Sequence, residues 1–370
     1  MPSSTASALG AWALWVLSCA AVAQVPAVYP AAYAQTIAAA KQEGKVVVYS
    51  VLSNKAAQPL VKDFSALYPG IAVEYDGEGG STEIYERFTT ELQQGKASAD
   101  VMWSSAMDLQ MKLVQDGYAM PYASPEAPQL PAWARWQELA WGTTFEPVVF
   151  VYNKQLLGAA DIPQDHPQLA RLIASQSDKF KGRVTTFDID KSGVGFMFAA
   201  QDRKQLPGIN SLLKALGSVD TYAAAGTGEM LTKIASGQFL LGYNIMGAYA
   251  MARSKKDLPS LGVVLPKDYT LVLSRVMFIS RQAAHPNAAR LWADYVLSKR
   301  GQKIIGDALE LYAIRDDVDA EYTAATLAKQ LGSAARPIAL STELTDYLQP
   351  DKRRAFIGEW KAGMAQGAAK

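Results

Sequence analysis

Hydroxyl and glycine residues gather wherever an apolar run gives way to a helix-forming one. Val46-Val47-Val48-Tyr49 leads into Ser50 and Ser53, and Ile71–Tyr75 leads into Gly79-Gly80-Ser81. Asp100–Trp103 leads into Ser104-Ser105, and Val184–Phe187 leads into Asp188 through Gly193. In open α/β sheets, ligands sit outside the carboxyl ends of the strands. A helix start there offers unpaired N–H groups and a partial positive charge, and a serine adds a hydroxyl donor. Several such loops around one cleft make a site for a small anion. The same serines are also good helix caps, and both readings stay open for each.

Catalytic arrangements find little support. The two histidines, His166 and His285, each stand next to a proline and read as surface turns. Zinc-protease, nucleophile-elbow and Cys-His patterns are absent. Asp188 and Asp190 are spaced like paired carboxylates but read as turn residues. Gly79-Gly80 lacks the Gly-Lys-Ser/Thr of a phosphate-binding loop. Trp103 and Trp141 read as core, Glu78 as solvent-facing and Lys191 as a surface lysine. Arg253 and Arg275 could reach an anion but are not placed among the ligands.

The elements that must position the loops alternate. Strands are expected at Lys45–Ser50, Ile71–Tyr75, Ala99–Trp103, Val148–Asn153, Val184–Phe187, Phe239–Tyr243, Leu261–Pro266 and Leu271–Ser280. Helices are expected between them, for example over Ala57–Tyr68, where Leu60, Phe64 and Leu67 share one face. Alternating strands and helices argue an α/β fold, mainly parallel, with both sheet faces covered. With 370 residues and a 49% apolar fraction, two lobes of roughly 150 residues each are expected. The net charge of +1 gives no footprint for nucleic acid.

The first residues read as an export signal. Ala11–Ala23 is apolar and ends in Ala21-Val22-Ala23, a small-x-small cleavage pattern, although residues 1–10 hold no Lys or Arg. The run is shorter than the ~20 residues of a membrane span. Cys19 is the only cysteine, so cleavage after Ala23 would remove it. Val16-Leu17-Ser18-Cys19 loosely resembles a lipoprotein box, which would put lipid on Cys19; simple cleavage is the preferred reading.

Taken in order, these segments resemble a type 2 periplasmic solute-binding protein of an ABC importer, near the ferric-iron and sugar-phosphate subgroup. Val46–Asn54, Gly95–Ser104, Val149–Lys154, Phe180–Val184 and His285 through Lys303 carry the resemblance, which covers Lys45 to the C-terminus. It implies two α/β lobes that close on a ligand by hinge bending. The implied division is 1–23 signal peptide, 24–145 and 270–335 first lobe, 146–269 second lobe, and 336–370 C-terminal helices packing back on the lobes.

In the iron-binding branch, adjacent tyrosines hold the metal. The matching stretch here, Gly242–Tyr249, has Asn244-Ile245 at that place, with Ser53 and Ser105 where a histidine and an acid would stand. The pattern suits an organic anion (organophosphate, phosphonate or carboxylate) better than ferric iron. Ser192-Gly193-Val194 resembles the family's anion loop. The expected ligand residues are therefore Ser50, Ser53, Gly80, Ser81, Ser104, Ser105 and Thr144 on one side. Ser192, Gly193, Val194, Tyr243 and Asn244 face them. Changing Ser192 to alanine is expected to weaken binding with little change in melting temperature. No catalytic residue, metal or cofactor is expected. The partners implied are an ABC permease and a small solute, with the protein a periplasmic monomer. The alternatives are a sensor presenting its closed form to a membrane histidine kinase, and a ferric-iron transport protein.

Overall fold

The computed structural model describes residues 29–368; the signal-peptide and Cys19 readings lie outside them. Two sheets organise the chain. The first is six-stranded, in the order Ala72–Asp76, Lys45–Ser50, Val101–Ser104, Val276–Ile279, Ala140–Gly142, Arg135–Trp136. The second is seven-stranded. Its path runs Ala335–Pro337, Thr270–Leu273, Glu146–Asn153, Leu241–Met246, Val184–Phe187, Tyr222–Ala224, and Leu261–Val264 also pairs with Glu146–Asn153.

Each lobe wraps helices around its sheet, as a two-lobed α/β fold requires. On helix Asn54–Leu67 the buried residues Ala57, Leu60 and Phe64 recur at helical spacing. Phe64 meets Trp292 edge to face at 5.2 Å, locking this helix to helix Pro286–Leu297. Helix Ser81–Gln93 buries Ile84, Phe88 and Leu92 in the same way.

The sheets are mixed rather than mainly parallel. Parallel pairing joins the strands that feed the cleft loops, such as Lys45–Ser50 with both neighbours and Val184–Phe187 with both neighbours. The strands next to the lobe crossings, Glu146–Asn153 and Val276–Ile279, pair antiparallel with all of theirs. The expected strand Leu271–Ser280 is two strands: Thr270–Leu273 ends in the second sheet, and Val276–Ile279 begins in the first. The chain thus crosses between lobes at Ser274-Arg275 and, in the other direction, between Gly142 and Glu146. Thr143 N donates to Arg275 O at 2.9 Å, so the two crossings are laced side by side.

The lobes touch. Helix Gly193–Gln205 of the second lobe packs on helices Ser81–Gln93 and Met107–Gln115 of the first. One apolar cluster runs unbroken from Phe88 and Met111 to Val194 and Phe196. The seam needs a glycine: a Cβ at Gly193 would lie 2.8 Å from Leu109 Cδ1 and 2.9 Å from Ser81 Oγ.

The C-terminal segment spans both lobes. The 3₁₀ turn Thr342–Leu348 packs against helix Met107–Gln115, and helix Pro350–Ala368 lies along helix Ile209–Ser218. The latter pair approach so closely that a Cβ on Gly217 would fall 1.8 Å from Met364 O.

Candidate functional site

Helix starts from both lobes converge on one cavity of about 310 Å³ between them. From the first lobe, Ser53 caps helix Asn54–Leu67, its Oγ accepting from Ala56 N at 3.3 Å. Gly80 precedes helix Ser81–Gln93, and its N–H donates to Glu83 Oε2 at 3.4 Å. From the second lobe, Ser192 caps helix Gly193–Gln205, its Oγ accepting from Gly195 N at 3.2 Å. Gly226 precedes helix Thr227–Ala235. Each hydroxyl that accepts a capping bond keeps its own O–H free to donate.

Arg275, from the hinge, borders the same cavity. Its Nε donates to Glu146 Oε1 at 2.8 Å, its Nη2 to Oε2 at 3.1 Å and to the Tyr249 hydroxyl at 3.0 Å. Burial is the largest single influence and works against its charge, but the charges and hydrogen bonds of Glu146 and Tyr249 together outweigh it and raise its pKa, so it stays protonated. Its Nη1 has no hydrogen-bond partner, although the side chain is 1% exposed. The hydroxyl of Thr227, at the start of its helix, also lacks a partner and also borders the cavity. Buried polar groups are nearly always paired, and both of these orphans belong to residues that border the cavity.

Among the residues expected from the sequence, Ser53, Gly80, Ser81, Ser105, Ser192 and Val194 border the cavity. The others lie elsewhere. Ser50 Oγ accepts from Leu52 N at 3.1 Å, and Ser104 Oγ accepts from Ala106 N at 3.2 Å, both as buried turn formers. Thr144 supports the hinge, its hydroxyl donating to Glu146 Oε1 at 2.8 Å and accepting from Arg275 N at 2.9 Å. Gly193 lies at the seam between the lobes.

Tyr243 and Asn244 turn away from the cleft into the second lobe's core. Both donate to Asp202 Oδ2, and Tyr269 donates to its Oδ1 at 2.8 Å. Burial raises the pKa of Asp202, with His166 and the three donors opposing. Asn244 adopts φ 59°, a left-handed backbone that asparagine tolerates.

His166 is not a surface turn. It is buried, its Nδ1 lies 3.0 Å from Asp268, and its ring stacks on Tyr269 at 4.1 Å. His285 Nδ1 lies 2.8 Å from the buried Asp100, at the start of helix Pro286–Leu297.

Cavity residues not chosen from the sequence include Gly226, Thr227, Gly228, Tyr249, Arg253 and Arg275. The Gly-Thr-Gly-Glu run at 226–229 does follow a strand and open a helix. That strand, Tyr222–Ala224, has only three residues, too few to register as a period.

A model of the family described as bacterial extracellular solute-binding protein matches residues 50–303. A substrate binding protein of an ABC transporter from Agrobacterium tumefaciens is 37% identical with a TM-score of 0.82, the match covering 86% of this chain and 94% of that one. The periplasmic binding protein AfuA from Actinobacillus pleuropneumoniae, solved with fructose-6-phosphate, is 19% identical with a TM-score of 0.68, covering 87% and 99%. The ferric binding protein from Campylobacter jejuni is 17% identical with a TM-score of 0.66, again covering 87% and 99%. The last two share the fold.

Proposed function

Because the chain belongs to the bacterial extracellular solute-binding protein family and is the solute-binding component of an ABC transporter, we propose that it captures a small anionic organic solute in the periplasm and hands it to the permease. Proteins of this family and fold bind substrates without turning them over. The observation that carries the anionic reading is a cavity ringed by helix starts and serine hydroxyls, bordered by Arg275, whose Nη1 has no partner. No Asp, Glu or His borders that cavity among the described residues. That donor set suits an anion and offers a hard cation little: Tyr249 is the one phenol on the wall, and it already accepts from Arg275.

Solute contacts to Ser53 and Ser81 on one side and to Ser192 and Thr227 on the other would favour the closed form over the open one. Ligand binding then reads out as closure, the feature a permease recognises. Native mass spectrometry of freshly purified protein, followed by calorimetry with the released compound, tests the reading. Recovery of a small organic anion is the expected result. Calorimetry without heat from any organic anion, together with a ferric charge-transfer band on adding Fe(III), would overturn it.

A further inference from the structure

We infer that the solute is a monocarboxylate with a compact apolar body and no ammonium group, an assignment that rests on the anionic reading above. Three features of the cavity wall carry it.

The first is charge balance. Arg275 is already neutralised by both oxygens of Glu146. The other cavity arginine, Arg253, is held by Asp257, its Nε 2.8 Å from each carboxylate oxygen. Each guanidinium therefore brings its own counter-charge, and the wall carries no surplus of two positive charges. Phosphate esters hold roughly −1.5 to −2 at neutral pH. A carboxylate holds −1, a smaller charge for the partial positive charge of the helix starts and the serine hydroxyls to match.

The second is the absence of acidic and amide side chains. No Asp, Glu, Asn or Gln borders the cavity among the described residues. An ammonium group on the solute would be buried without a counter-ion, which is strongly unfavourable. A polyol would find only hydroxyls and backbone to accept its several O–H donors.

The third is the apolar wall. Phe187, Val194, Leu231, Met246 and the ring of Tyr249 border the same space. Phe187, Leu231 and Met246 are each at most 5% exposed, so they form a fixed surface and not a flexible rim. At about 310 Å³ the cavity is near the lower end of the roughly 300–1,000 Å³ usual for small-molecule sites, which limits the body to a short branched chain or a single ring.

The test is calorimetry on the purified full chain with four probes: phenylacetate, phenylphosphonate, 2-aminoethylphosphonate and ribose 5-phosphate. Phenylacetate is expected to bind at least ~10-fold more tightly than the other three. A second measurement uses Met246→Gln, which keeps the length of the side chain and adds an amide. It is expected to lower phenylacetate affinity several-fold. Equal or tighter binding of ribose 5-phosphate or 2-aminoethylphosphonate overturns the carboxylate assignment while leaving the anionic reading in place. Absence of heat from all four probes overturns the carboxylate assignment, and a ferric charge-transfer band on adding Fe(III) to the same protein overturns the anionic reading as well.

Discussion

Arg275 and Glu146 stand where the chain passes between the lobes, and there they form a buried two-pronged ion pair of 2.8 and 3.1 Å. Arg275→Ala would leave the buried Glu146 without its counter-charge, which costs about 3–5 kcal/mol. Urea denaturation should show that loss, and the double variant Arg275→Met with Glu146→Leu should regain most of it. Arg275→Lys keeps a charge but lacks the planar fork. It should weaken carboxylate binding at least ~10-fold in calorimetry.

Ser192 has two duties, and they separate by substitution. Its hydroxyl caps helix Gly193–Gln205 through Gly195 N and borders the cavity. Ser192→Ala is therefore expected to lose about 1 kcal/mol of stability as well as affinity, more than the nearly unchanged melting temperature expected from the sequence. Ser192→Gly tolerates the cap position at a few tenths of that loss. Thermal melting together with titration should show weaker binding in both variants and a clear stability drop in the alanine variant alone.

Tyr243→Phe gives the opposite pattern. It removes a donor to Asp202 inside the second lobe, away from the cleft. Stability should fall by about 1–3 kcal/mol with solute affinity unchanged. A matched fall in affinity would place Tyr243 at the ligand after all.

Asp108 and Asp294 are both pushed up to about 7 by burial. Their folded values exceed the ordinary carboxylate value of roughly 3.9, so the folded state binds protons more tightly than the unfolded one. Their contribution is fully present below about pH 4 and is lost as pH rises through about 7. Melting temperature should fall between pH 5 and pH 8. Asp108→Asn should raise it at pH 8 with little effect at pH 5, since the amide never ionises.

Gly193→Val should hold the lobes apart. Its Cβ would meet Leu109 and Ser81 across the seam at 2.8 and 2.9 Å, and its methyls would need still more room. Small-angle scattering should give a larger radius of gyration than the wild type with saturating solute, and binding should weaken.

The strand-to-helix loops were legible in the sequence because their signals are local. Capping hydroxyls at Ser53 and Ser192 and apolar periods such as Leu60–Phe64 lie within a few residues of what they position. The hinge was not legible. Leu271–Ser280 reads as one apolar run, and only pairing with strands far away splits it at Ser274-Arg275. Arg275 gains its meaning from Glu146, 129 positions away, which no local pattern links to it. Tyr243 and Asn244 misled for a different reason. Every residue of Leu241–Met246 is buried, so exposure does not alternate and nothing local says which side faces the cleft.

The C-terminal segment changes the mechanics of the whole molecule. Helix Met107–Gln115 starts at the hinge, where Met107 Sδ accepts from Ser274 N at 3.3 Å. At its far end, about 12 Å away at helical rise, Gln115 accepts from Thr345 at 2.8 Å. From there the chain runs straight into the helix bound to the second lobe. Two adjacent crossings define an axis, and a strap fastened off that axis sets how wide the arc can be. A short arc leaves little of the solute's binding free energy to be spent on closing. A shortened arc would also narrow the difference in shape between loaded and empty carrier, leaving a permease a smaller angle to read.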